Sequence, residues 1–146
     1  MNQFQLSSIR AKELMNNLLN SKGIPNHDIA FTDEKGYDKY DGTFKNSKGQ
    51  TIMFEIKVRN VPSTQYPTTV IEKGKYDFLI NQHNASGVIP YLFVFFTDGK
   101  VLIQNLLSKS VIPTRMFAPK TTAGNNEKVI KNFVEFPIDC SNTHNI

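Results

Sequence analysis

Asp41, Glu55 and Lys57 place two carboxylates and an amine on neighbouring stretches of chain. Two crowded carboxylates are costly unless a cation lies between them. Lys57 supplies part of that charge, and a divalent metal would supply the rest. Mg²⁺ suits such a set, because it is held by one or two carboxylates plus waters and substrate phosphate oxygens. Bound there, it would polarise a phosphoryl oxygen and lower the pKa of a bound water. Lys57 would then orient or deprotonate the attacking water, or stabilise the developing charge. A cross-strand salt bridge on a solvated sheet face explains the same residue types, and the triplet alone does not separate the two readings.

The elements that must position these residues are legible. In Thr51-Ile52-Met53-Phe54-Glu55-Ile56-Lys57-Val58-Arg59, Ile52, Phe54, Ile56 and Val58 alternate with Thr51, Met53, Glu55, Lys57 and Arg59. That period predicts a strand with one face in a core and one reserved for something polar. Lys39 to Lys45 alternates in the same sense, and Asn46-Ser47-Lys48-Gly49 supplies turn residues. A hairpin with a three-residue loop, Ser47-Lys48-Gly49, sets Asn46 opposite Gln50 and Asp41 opposite Glu55. A two-residue turn would set Phe54 opposite Asp41 and mix the faces, so the pattern selects the longer loop.

Elsewhere, Ala11, Leu14, Met15 and Leu18 recur at helical spacing and predict a helix over about Ser7 to Asn20, stopped at Gly23. His27 to Thr32 reads as weakly extended, followed by a polar connection at Asp33-Glu34-Lys35-Gly36. Thr69-Val70-Ile71-Glu72 has the form of a capping box opening a second helix through Ile80. Tyr91 to Phe96 is continuously apolar, as in a strand covered on both faces, and Asp98-Gly99 turns the chain into Val101 to Gln104. Beyond Lys109 the pattern weakens. Glu127 to Val134 reads as a short helix and the last residues as a polar tail.

The chain has 146 residues, a formal net charge of +4 and one cysteine, Cys140. That is the size of one domain, without a disulfide framework or a Cys-rich zinc site. The first residues contain no apolar stretch of signal-peptide or membrane-span length, so a soluble, cytoplasmic protein is expected. The mildly basic balance permits an anionic partner without demanding one. His27, His83 and His144 lack metal-ligand spacing.

The run Asp41-x13-Glu55-Ile56-Lys57 resembles the active-site signature of the PD-(D/E)xK nuclease superfamily, in a relaxed form without the Pro before the first Asp. Element order over residues 7–106 is similar too: helix, hairpin, helix, apolar strand. The resemblance implies an α/β fold, a mixed β-sheet flanked by helices, with residues 107–146 as an accessory segment. It implies Mg²⁺- or Mn²⁺-dependent hydrolysis of phosphodiester bonds in DNA, with Asp41, Glu55 and the Ile56 carbonyl on the metal and Lys57 on the water. Many members carry a further Glu on the first helix, for which Glu13 is the candidate, and a basic or amide side chain on the second. Lys73 is preferred over Lys75 there, because a cation at a helix start is electrostatically disfavoured and so has another use. Arg59 continues the polar face toward a phosphate. Arg115 and Lys120, with Thr121 and Thr122, form a basic segment able to track a nucleic-acid backbone. A minimal core of this kind leaves room for a homodimer to span two strands. The alternative is a non-catalytic nucleic-acid-binding module or structural subunit on the same fold.

Overall fold

In the computed structural model, which describes residues 3–32, 39–108, 112–119 and 128–146, the alternating segment is strand β3 (Thr51–Val58). It lies inside a six-stranded sheet of order β1-β2-β3-β5-β6-β9. The others are β1 (Ala30–Phe31), β2 (Gly42–Lys45), β5 (Ile89–Phe95), β6 (Lys100–Asn105) and β9 (Thr143–Asn145). All neighbours pair antiparallel except β3 and β5. A parallel pair needs a long crossover, and the chain between β3 and β5 supplies it with strand β4 (Thr68–Glu72) and helix α2 (Lys73–Ser86). Strand β4 joins β8 (Lys128–Pro137) and β7 (Ile112–Pro119) in a second, antiparallel sheet of order β4-β8-β7.

Helix α1 (Gln3–Ser21) covers one face of the main sheet. Its Met15, Leu18 and Leu19 pack with Ile52 and Phe54 of β3 and Phe93 and Phe95 of β5. The other face is covered as well. Met53, Leu92, Val94 and Leu102 meet Ile71, Leu79, Val134 and Phe136 from the second sheet and α2. Tyr91 to Phe96 is therefore buried on both sides, as its composition predicts. The polar side of β3, however, is not solvated: Met53 enters the second core and Glu55 is 4% exposed.

The hairpin has the expected loop and register. Asn46 N–H donates to the Gln50 carbonyl at 3.0 Å, and Gly49 sits at φ +76°, in the left-handed region. The Asn46 Oδ1 caps the loop by accepting the Lys48 and Gln50 amides at 3.0 Å each. Counting back, Phe44 faces Ile52 and Gly42 faces Phe54.

Three expectations are corrected. Thr69 to Glu72 is not a capping box: Thr69 is buried in β4, and Glu72, at the N-cap of α2, makes no side-chain cap hydrogen bond. The β-branched run Thr-Thr-Val-Ile favours extended chain, and β8 provides its ladder. Residues 128–134 are strand, not helix, because β8 is held between β4 and β7, a non-local pairing that outweighs helical spacing. The polar tail adds β9 to the edge at β6, anchored by buried Asn142, whose Nδ2 donates to the Pro137 carbonyl at 2.7 Å and to Gln104 Oε1 at 3.0 Å. The Asp33 to Gly36 connection, Lys120, Thr121, Thr122 and Glu127 lie outside the described residues. No helix among the described residues is long and apolar enough to cross a membrane.

Two glycines should respond oppositely to a methyl group. A Cβ on Gly42 would lie 2.6 Å from both the Ala30 carbonyl oxygen and Cζ of Phe54, whereas one on Gly74 meets nothing within 4 Å. Gly42→Ala is expected to cost about 1–3 kcal/mol through forced shifts of backbone and ring. Gly74→Ala, inside α2, should gain roughly 0.4–1 kcal/mol. Urea denaturation of both variants checks the contrast, and a neutral Gly42→Ala would contradict it.

Candidate active site

The ladder between β2 and β3 is interrupted at Asp41. Asp41 N–H donates to the Phe54 carbonyl at 2.8 Å, although Phe54 is the register partner of Gly42. Two consecutive residues thus face one, the arrangement of a β-bulge, which bends the strand and re-aims a side chain. Instead of a ladder pair with Glu55, Asp41 uses its carboxylate: Oδ2 accepts the Ile56 N–H at 2.6 Å. Amide and carbonyl of one strand residue face the same neighbour. The Ile56 carbonyl therefore also faces the β2 side, past the last pair at Gly42 and Phe54. The approach to Asp41 is pinned from two directions. Thr32 N–H donates to the Asp41 carbonyl at 2.9 Å and Thr32 Oγ1 to the Tyr40 carbonyl at 3.0 Å. The Tyr40 ring stacks on Phe78 of α2, with centroids 6.1 Å apart.

Glu55 accepts one strong bond in its buried position, from Lys75 Nζ to Oε1 at 2.9 Å. Burial, and then the Asp41 carboxylate, push the Glu55 carboxyl up to about 7, against the lowering pull of Lys75 and Lys57. Burial, and then the Arg59 guanidinium, push the Lys57 ammonium down to about 8, with Glu55 opposing. Burial also lowers Lys75, but Glu55, Asp41 and Glu72 more than offset it, and its pKa is raised. Glu72 acts on Lys57 and Lys75 alike and is itself paired with Lys131 at 3.3 Å. The result is a partly buried row of amines and a guanidinium facing carboxylates that lack full compensation.

Asp41, Glu55, Ile56 and Lys57 are thus brought together, with the partly buried Arg59 next along the strand. Glu13 is not brought to them. It is exposed on α1, which covers the Ile52/Phe54 face, and it is not among the charges acting on Glu55. The inward stripe of α1 is Met15, Leu18 and Leu19, and Glu13 lies off it. Lys73 is exposed and bonded to Asp77 Oδ2 at 2.6 Å, one turn along its own helix. The α2 amine at Glu55 is Lys75, which the sequence reading passed over. Lys75 is three and four residues before Phe78 and Leu79, the inward side of α2, whereas Lys73 is four before the solvent-side Asp77. That spacing was a usable signal; the dipole argument applies equally to both lysines. Arg115 lies in β7, its backbone paired with Asn132.

A cavity of about 610 Å³ on the α1 side is lined by Leu19, Phe44, Ile52, Tyr91, Phe93 and Ile103 among others, toward the loop end of the hairpin and away from the cluster. Another, about 370 Å³, runs between the start of α2 and β8 and shares Glu72 and Lys131 with the charged row. No group of three or more His, Cys, Asp or Glu side chains able to hold a metal occurs among the described residues. The oxygen donors at this cluster are two carboxylates and the Ile56 carbonyl, a hard set that fits Mg²⁺ or Mn²⁺, whose remaining positions would be taken by water and phosphate.

The raised Glu55 value has a signed consequence. Below about 4.5 the carboxyl is protonated in folded and unfolded chains alike. Between 4.5 and about 7 the unfolded chain ionises first, so the folded state loses stability as pH rises, and above about 7 the loss is complete. Without metal, Glu55→Gln should remove this decline, so that the stability of the variant relative to the parent rises across that window. Urea midpoints at several pH values measure it, and parallel profiles would refute the assignment.

No family model and no curated protein sequence matches the chain. Among solved structures it is similar to Archaeoglobus fulgidus Hjc, a Holliday junction resolvase from an archaeal hyperthermophile, with a TM-score of 0.55 over 91% of this chain and 88% of that one, at 14% identity. At that identity the likeness is one of fold. It covers far more of the chain than the residues that carry the sequence signature. The chain shares the fold of that resolvase, a mixed sheet flanked by helices.

Proposed function

We propose that the protein is a divalent-metal-dependent endonuclease that hydrolyses phosphodiester bonds in DNA, with branched DNA as its preferred substrate. The observation that carries this reading is the convergence of the Asp41 and Glu55 carboxylates beside an amine, Lys57, lowered to about 8. The likeness in fold to a Holliday junction resolvase supports it.

In this reading Asp41, Glu55 and the Ile56 carbonyl hold Mg²⁺ or Mn²⁺. The ion supplies polarisation of a phosphoryl oxygen and a more acidic bound water. Asp41 is oriented by the Ile56 amide, so the bulge sets the spacing of the two carboxylates. Lys57, neutral in a substantial fraction near its lowered value, accepts the proton of the attacking water. Arg59 binds a phosphate next to the scissile one, and Lys73, Arg115 and Lys120 contact the backbone farther out. Glu13, exposed on α1, is given no part in the chemistry. A homodimer would place two such sites on paired strands of a junction.

The test is incubation with single-stranded, duplex and four-way-junction DNA, with Mg²⁺ or Mn²⁺ and with EDTA. Cleavage is expected only with metal and fastest on the junction. Lys57→Met should lose about 10²–10⁴-fold in rate while still binding DNA. The parent rate should rise with pH and level off near 8, the value to which Lys57 is pushed. Cutting in EDTA, or full activity in Lys57→Met, would overturn the proposal.

A further inference from the structure

The amine at Glu55 does something that the nuclease reading does not require. Lys75 Nζ lies 2.9 Å from Oε1 of a carboxylate that is 4% exposed, while its own side chain is 35% exposed. It enters from the open side, at the first turn of α2, beside Gly74, where nothing crowds the backbone. It also feels Asp41 and Glu72, so it is the counter-charge shared by the carboxylates available to a metal. An ammonium on a carboxylate oxygen and a dication bound by the same carboxylate repel each other strongly in a poorly hydrated site. The long, flexible lysine stem allows the amine to leave without moving the helix. Glu72, which acts on Lys75 and is held by Lys131 at 3.3 Å, is an alternative partner.

We propose that Lys75 is a positioning residue that occupies Glu55 as a surrogate cation in the metal-free protein, and that Lys75 and the divalent ion exclude one another there. The inference rests on the metal-dependent reading of the same site. It assigns Lys75 a role that Lys73, tied to Asp77, does not share. Metal entry releases the amine toward Glu72 or a phosphate oxygen of the substrate, so the charge that holds the empty site together is handed to the DNA.

Two measurements on the whole chain test it, neither using catalysis. Calorimetric titration with Mn²⁺ at about pH 8.5, where the Glu55 carboxyl is ionised, compares the parent with Lys75→Gln, which keeps a hydrogen-bond donor without charge. The variant is expected to bind about tenfold more tightly. In the parent, brief acetylation followed by mass spectrometry should show Lys75 becoming more reactive on adding Mn²⁺ while Lys73 does not change. Equal or weaker binding by the variant, or Lys75 reactivity unchanged or reduced by metal that binds, would overturn this inference and leave the nuclease reading intact. Absence of Mn²⁺ binding by both proteins would overturn both.

Discussion

A carboxylate inside a doubly covered sheet sets the terms for everything around it. Glu55 stands in the middle of β3, with α1 packed on one face and the second sheet and α2 on the other. Transfer of an ionised carboxylate from water into such surroundings is prohibitive without partners. The fold answers with Lys75 at 2.9 Å and Lys57 along the strand, and the answer is incomplete, because Asp41 adds a second negative charge and the Glu55 carboxyl remains pushed up to about 7. Structural ion pairs in cores are usually better compensated, since an uncompensated buried charge costs several kcal/mol. The residual deficit of positive charge is the property that a divalent ion would satisfy.

The architecture around Glu55 follows from holding that deficit in place. The parallel pairing of β3 with β5 makes the strand central, and the crossover this requires returns over the sheet as β4 and α2, carrying Lys75 to the carboxylate and Glu72 to the lysines beside it. The bulge at Asp41 frees one carboxylate from the ladder, and the Ile56 amide catches it. Gly42 permits this by leaving space that the Ala30 carbonyl and the Phe54 ring occupy. The Tyr40–Phe78 stack then links the loop bearing Asp41 to the helix bearing Lys75.

The hairpin was legible because local rules specify it: alternation marks the faces, turn chemistry sets loop length, and a change of one residue would exchange core and polar faces. Asp41, Glu55 and Lys57 were singled out by that route, and Ile56 by the resemblance to the nuclease signature. Lys75 was not, since Lys73 and Lys75 are equivalent until α2 is docked and Phe78 and Leu79 show which side is inward. Whether Glu13 reached the site turned on docking as well, and α1 packs on the face of the sheet opposite Glu55. Strands β4 and β8 were hidden because each is stabilised by the other across 61 to 69 positions of the chain, and window-based patterns register no such partner.

By itself, then, the sequence determined the order of the central elements, the register of β2 on β3 and the three residue types whose proximity suggests metal chemistry, because these depend on side chains a few positions apart. Only the tertiary structure decided that the polar face of β3 is buried, that the ladder breaks at Asp41 and that Lys75 supplies the counter-charge. Those outcomes depend on which surfaces meet. Burial and electrostatic compensation are properties of the packed layers, and no single stretch of chain carries them.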